Sequence, residues 1–220
     1  MDLGSAELRV LAALVEKQLT TPQQYPLTGN AVVAACNQAS NRAPVVAYDE
    51  RTVESALAGL KDKSLVRFVH PSHGRSATRY RHVLDEVLGL STRQLALVAV
   101  LALRGPQTVG ELRARTERMA DFAGVDDVER ELEALAAGGA AVVTRRAREP
   151  GRKDIRYAQA LASEEAAAAR APAPERVSGL GAAPPPSLAD EVASLRDEVA
   201  SLRRTVDEVL ARLDGGGTGA

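Results

Sequence analysis

Several things are scarce in this chain of 220 residues. Tryptophan is absent, and aromatic residues make up only 3% of the sequence. That disfavours the stacking platforms that hold single-stranded nucleic acid, and carbohydrate-stacking sites as well. Cys36 is the only cysteine. It excludes an internal disulfide and any CxxC redox or zinc pair. Neither sign of charge dominates: 28 Lys and Arg stand against 29 Asp and Glu. A basic nucleic-acid footprint would therefore have to be local. The longest apolar run, Leu95 to Leu103, is nine residues, about half of what a membrane span requires. The N-terminal residues Met1 to Ser5 lack the basic start and cleavage site of a secretory signal. These features predict a cytoplasmic protein with no membrane partner. The P-loop, GxSxG and HExxH patterns are missing too. No base or oxyanion donor accompanies Cys36, so the chain reads as a non-enzyme with no small-molecule substrate and no cofactor.

What is present is periodicity. Leu8, Leu11, Ala12, Val15 and Leu19 recur at helical spacing after Ser5, and Pro22 follows them. A second helix is predicted from Thr28, its N-cap, to Asn37. A third is predicted over Glu50 to Lys63, capped by Asp49. "LVRFV" (Leu65 to Val69) and "TRYRHVL" then read as strands around the tip "HPSHGRSA". Three helices followed by a hairpin is the order of a winged helix-turn-helix.

The order then repeats. Ser91-x-x-Gln94 and Thr108-x-x-Glu111 are capping boxes opening two helices, and "VERELEAL" (Val128 to Leu135) reads as the third. "AAVVTRR" and "IRYAQAL" supply the second hairpin. Val53, Leu57 and Leu60 align with Val128, Leu132 and Leu135, and Arg79-Tyr80 with Arg156-Tyr157. This is an internal duplication.

Beyond it, an Ala- and Pro-rich stretch reads as a linker. After the linker come Val192, Leu195, Val199, Leu202 and Val206, which alternate in four- and three-residue steps. Valine at a and leucine at d predict a parallel two-stranded coil, hence a homodimer. The fold class is therefore mainly α with small β-hairpin wings (α+β). It comprises two tandem winged helix-turn-helix domains over residues 1–87 and 88–162, a linker over 163–187, a coiled-coil helix over 188–213 and a disordered tail over 214–220.

The strings "LVEKQLTTPQQYPLTGNAVVAACNQASNR", "LALRGPQTVGELRAR" and "REPGR...RYAQAL" closely resemble the YceH family of bacterial proteins. The resemblance covers roughly Ala6 to Leu161. It implies tandem winged-helix domains of uncharacterised function and brings no catalytic residues.

Winged helices commonly bind DNA through the third helix and the wing. The arginine-rich wings fit that role. Arg75, Arg79 and Arg81 occupy the first, and Arg145, Arg146, Arg148, Arg152 and Lys153 the second. With Arg42 and Arg51 they form the candidate double-stranded DNA contacts. The third helices fit the role badly. Asp49 to Asp62 holds four acids against two bases, and Asp126 to Leu135 five acids against one. Such helices repel a phosphate-lined groove. The alternative is a protein-protein module, with Glu129 and Glu133 as partner contacts together with Asn30, Gln38 and Asn41 from the enlarged joints of the first copy. His70, His73 and His82 near one hairpin make a weak metal motif, so no metal site is assigned.

Overall fold

The computed structural model describes residues 1–70, 77–138, 141–147 and 154–162. They form a mostly helical α/β structure with seven α-helices and two small antiparallel sheets. The heptad residues, the linker and both wing tips lie outside the described residues.

Helix α1 spans Ser5–Thr20. A two-residue strand β1, Leu27–Thr28, leads into α2, Gly29–Cys36, and then α3, Glu50–Asp62. Thr28 caps α2 by accepting from the Ala31 N–H, and Asp49 caps α3 by accepting from the Thr52 N–H. Strands β2, Val66–Val69, and β3, Arg79–His82, follow, and a five-residue helix α4, Leu84–Leu88, closes the first repeat. Gly89 ends α4 at φ 64°, the left-handed region that glycine enters without strain.

The second repeat runs through α5, Thr92–Arg104, β4, Gln107–Thr108, α6, Val109–Thr116, and α7, Val125–Ala137. It finishes with β5, Val143–Arg145, and β6, Arg156–Gln159. Both predicted capping boxes form: Ser91 with Gln94, and Thr108 with Glu111.

Each sheet has three strands, not the two of a bare hairpin. The orders are β1-β3-β2 and β4-β6-β5. Leu27 pairs with Tyr80 and Thr28 with Arg79; in the other sheet Gln107 pairs with Tyr157 and Thr108 with Arg156. The added strands are too short for alternation to reveal them. A side chain holds each in place. The Arg79 Nη1 donates to the Pro26 carbonyl at 2.8 Å, and the Arg156 Nη1 to the Pro106 carbonyl at 2.9 Å.

The expected division at 87/88 does not separate two cores, because α1 and α5 pack against each other inside one continuous apolar cluster. Every residue from Leu95 to Leu103 is buried. A helix apolar on all sides is buried on all sides, which accounts for the nine-residue run. In α1 the burial extends over Leu8 to Val15, well beyond the single face that the spacing predicts. Helices α2 and α3 cover one side of α1 and α5 covers another. Among the described residues no helix is long and apolar enough to cross a membrane.

Candidate functional site

Asn41 adopts φ 61° in the connection between α2 and α3. Asparagine tolerates this left-handed conformation better than most residues. The next residue, Arg42, points inward. It is 7% exposed and donates to the Glu16 carboxylate from both terminal nitrogens, Nη1 and Nη2, at 3.0 and 2.5 Å. It also donates to the Ala35 carbonyl. Arg42 is therefore an internal strut, and the expectation that it touches DNA is corrected: its donors are spent inside the fold.

The other candidate DNA contacts divide into groups. Arg79 is tied to the Pro26 carbonyl, and the Arg81 Nη2 pairs with Glu86 at 3.0 Å. Arg67 shares the same Glu86 at 2.9 Å. Arg51, Arg145 and Arg146 are exposed and meet no carboxylate among the described residues. Arg75, Arg148, Arg152 and Lys153 lie outside the described residues.

Among the described residues the histidines do not converge. His82 is buried, and its Nδ1 accepts from the Leu84 N–H at 3.2 Å. Burial pushes its pKa down to about 4, although Asp85 at 3.6 Å pulls the other way. His70 faces Thr78, and His73 lies outside the described residues. Cys36 is fully buried, and burial pushes its thiol up to about 12. Such a thiol is a small core hydrophobe, not a nucleophile.

Two concave surfaces hold the remaining polar candidates. The first, about 370 Å³, lies between α3 and the sheet of the first repeat. Asn30, Glu50, Glu54 and Tyr80 line it, over a floor that includes Val33 and Val53. Glu50 and Glu54 stand one turn apart on α3, and neither has a cation partner among the described residues. The second repeat carries the same stripe on α7. There Glu129 and Glu133, also one turn apart and unpaired among the described residues, lie close to Tyr157. Burial raises the Tyr157 hydroxyl pKa, and Glu129 and Glu133 raise it further against Arg145.

The second concave surface, about 380 Å³, lies between the repeats. Gln38 and Asn41 line it beside Lys17, Arg104, Arg115 and Arg118. These four cations escape sequence reading, because three helix ends far apart in the chain bring them together.

Comparison with known proteins locates the chain among its relatives. Residues 3–152 match the family described as "Protein of unknown function, DUF480". A UPF0502 protein of Geotalea daltonii is 50% identical over 176 residues, covering 80% of each chain. A UPF0502 protein of Geobacter sulfurreducens is 49% identical over 162 residues, covering 74% of this chain and 73% of that one. A UPF0502 protein of Geotalea uraniireducens is 46% identical over 219 residues, covering 97% of this chain and 99% of its own. The YceH resemblance is compatible with these matches, and the chain belongs to the DUF480/UPF0502 family of uncharacterised bacterial proteins.

Proposed function

We propose that this is a non-enzymatic tandem winged-helix protein whose acidic third-helix faces dock a basic segment of a partner protein. The repeated order of three helices and a three-stranded sheet supports a winged helix-turn-helix in each half. One observation carries the docking reading. The stripe 50/54/58 of α3 and its counterpart 125/129/133 of α7 each carry two carboxylates one turn apart, without a cation partner among the described residues. Like charges at that spacing cost a helix about 0.2–0.5 kcal/mol per pair. A lysine- or arginine-rich segment would relieve that repulsion, whereas a DNA groove would add to it.

A second reading is a dimeric DNA-binding regulator. The exposed Arg145 and Arg146, which meet no carboxylate among the described residues, favour it. In either reading the heptads at Val192 to Val206 serve dimerisation.

The test uses the full chain and a variant carrying Glu50→Lys, Glu54→Lys, Glu129→Lys and Glu133→Lys. The wild type should retain a salt-sensitive protein partner from its native cell extract. The variant should lose that partner while keeping its circular dichroism, and neither should bind genomic duplex fragments at low salt. Undiminished capture by the variant overturns the docking reading. Duplex binding that disappears on Arg145→Ala with Arg146→Ala establishes the second reading instead.

A further inference from the structure

The cleft between the repeats lies away from the acidic stripes and has the opposite charge. Lys17 comes from the last turn of α1 and Arg104 from the last turn of α5. Arg115 comes from the last turn of α6, and Arg118 from just beyond it. A cation at a helix C-terminus has an ordinary explanation, since it offsets the macrodipole. That explanation is too small here. Three helix ends supply roughly −1.5 charges in all. The carboxylates lining the cleft are Glu16 and Glu117. Glu16 is already spent on Arg42, which leaves an excess of three formal positive charges, only about half of it offset by the helix ends.

Local bonding does not absorb that excess. The Lys17 Nζ donates to the neutral Gln38 amide at 3.1 Å. Arg115 meets Gln107 and stands 3.6 Å from Glu111, which Arg156 holds more closely at 3.1 Å. Arg104 and Arg118 have no hydrogen-bond or carboxylate partner among the described residues. Arg104 is half-buried, and burial together with Arg115 and Arg42 lowers its pKa against the weaker opposing pull of Glu111 and Glu16. A guanidinium held half out of water, with more cations than carboxylates around it, is stabilised by an added counter-charge.

The shape of the cleft narrows the choice of counter-charge. Its volume of about 380 Å³ falls within the range of small-molecule pockets, which favour boundaries between packed units. Val100, Leu103 and Met119 give it an apolar wall beside the guanidinium forks. Forked guanidiniums match phosphate and carboxylate oxygens. We infer that this cleft binds a small molecule with an apolar body and a phosphate or carboxylate group, the oxyanion being held by Arg104 and Arg118.

Calorimetric titration of the full chain tests this with three probes: inorganic pyrophosphate, adenosine monophosphate and hexanoate. Adenosine monophosphate or hexanoate should bind saturably to the wild type and more tightly than pyrophosphate, which has no apolar body, and the one that does identifies the oxyanion. Arg104→Ala and Arg118→Ala should each weaken that probe by about tenfold or more, the worth of one charge-assisted hydrogen bond. Arg104→Lys, which keeps the charge and loses the fork, should fall between wild type and Arg104→Ala. Arg113→Ala, exposed on α6 but outside the cleft, should leave binding unchanged. Failure of both adenosine monophosphate and hexanoate to saturate, or equal weakening by Arg113→Ala, overturns the inference. Neither result depends on the acidic stripes, which lie elsewhere.

Discussion

Arg79 and Arg156 stand at matching positions of the two repeats, and each donates to the carbonyl of a proline just before the first strand of its sheet, Pro26 or Pro106. Their conservation within the molecule is thus structural. Arg156 has a second bond, to Glu111 at 3.1 Å. Arg79→Ala should cost about 1 kcal/mol, and Arg156→Ala more, about 2 kcal/mol. Urea unfolding checks both values. Losses below a few tenths of a kilocalorie would contradict this structural role.

The Arg42–Glu16 pair predicts a larger loss. Removing one partner strands a buried charge and typically costs about 3–5 kcal/mol, so Arg42→Ala should destabilise by that amount. Arg42→Met combined with Glu16→Leu should recover most of it, because an apolar pair removes both desolvation costs. A double-mutant cycle by denaturant unfolding measures the recovery. Simple addition of the two single losses would contradict the pairing.

His82 sets an acid limit on stability. Its folded-state pKa is about 4, against an ordinary value of 6.5. Between those values the unfolded chain binds a proton that the folded chain refuses. The contribution of His82 is therefore fully present above pH 6.5, falls as the pH drops, and is gone below about pH 4. It amounts to about 3 kcal/mol. His82→Asn, which keeps an acceptor near the Leu84 N–H, should flatten that part of the stability-pH curve. An unchanged slope would show that carboxylates alone produce it.

Cys36 should be silent to thiol reagents in the native protein, since it is both fully buried and held as the thiol. Ellman's reagent should read no thiol before denaturant and one after it. Rapid native labelling would reopen the question of its reactivity.

Much of this fold was legible because its signals are local. Thr28, Asp49, Ser91 and Thr108 each accept the capping bond expected of them. Val53, Leu57 and Leu60, and their counterparts Val128, Leu132 and Leu135, are buried at the expected spacing. The missed features depend on distance along the chain. The strand at Leu27–Thr28 exists only because β3 returns to it. Helix α4, five residues long, gives too little periodicity to detect. Arg42 reads as a surface charge until Glu16, 26 residues earlier, is brought against it. Lys17 and Arg104 become neighbours only through the packing of α1 on α5, and Arg118 joins them through α6 on α5, which no motif encodes.

One backbone contact bears on the topology of the body. The Leu3 N–H donates to the Leu161 carbonyl at 3.0 Å, and Leu3 bridges Ala162 in parallel. The two ends of the described structure therefore lie side by side. Joining residue 162 to residue 3 through a short linker and opening the chain at the exposed Gly89 would give a circular permutant with the repeats in reverse order. In such a chain the same α1–α5 core would have to form with the second repeat synthesised first.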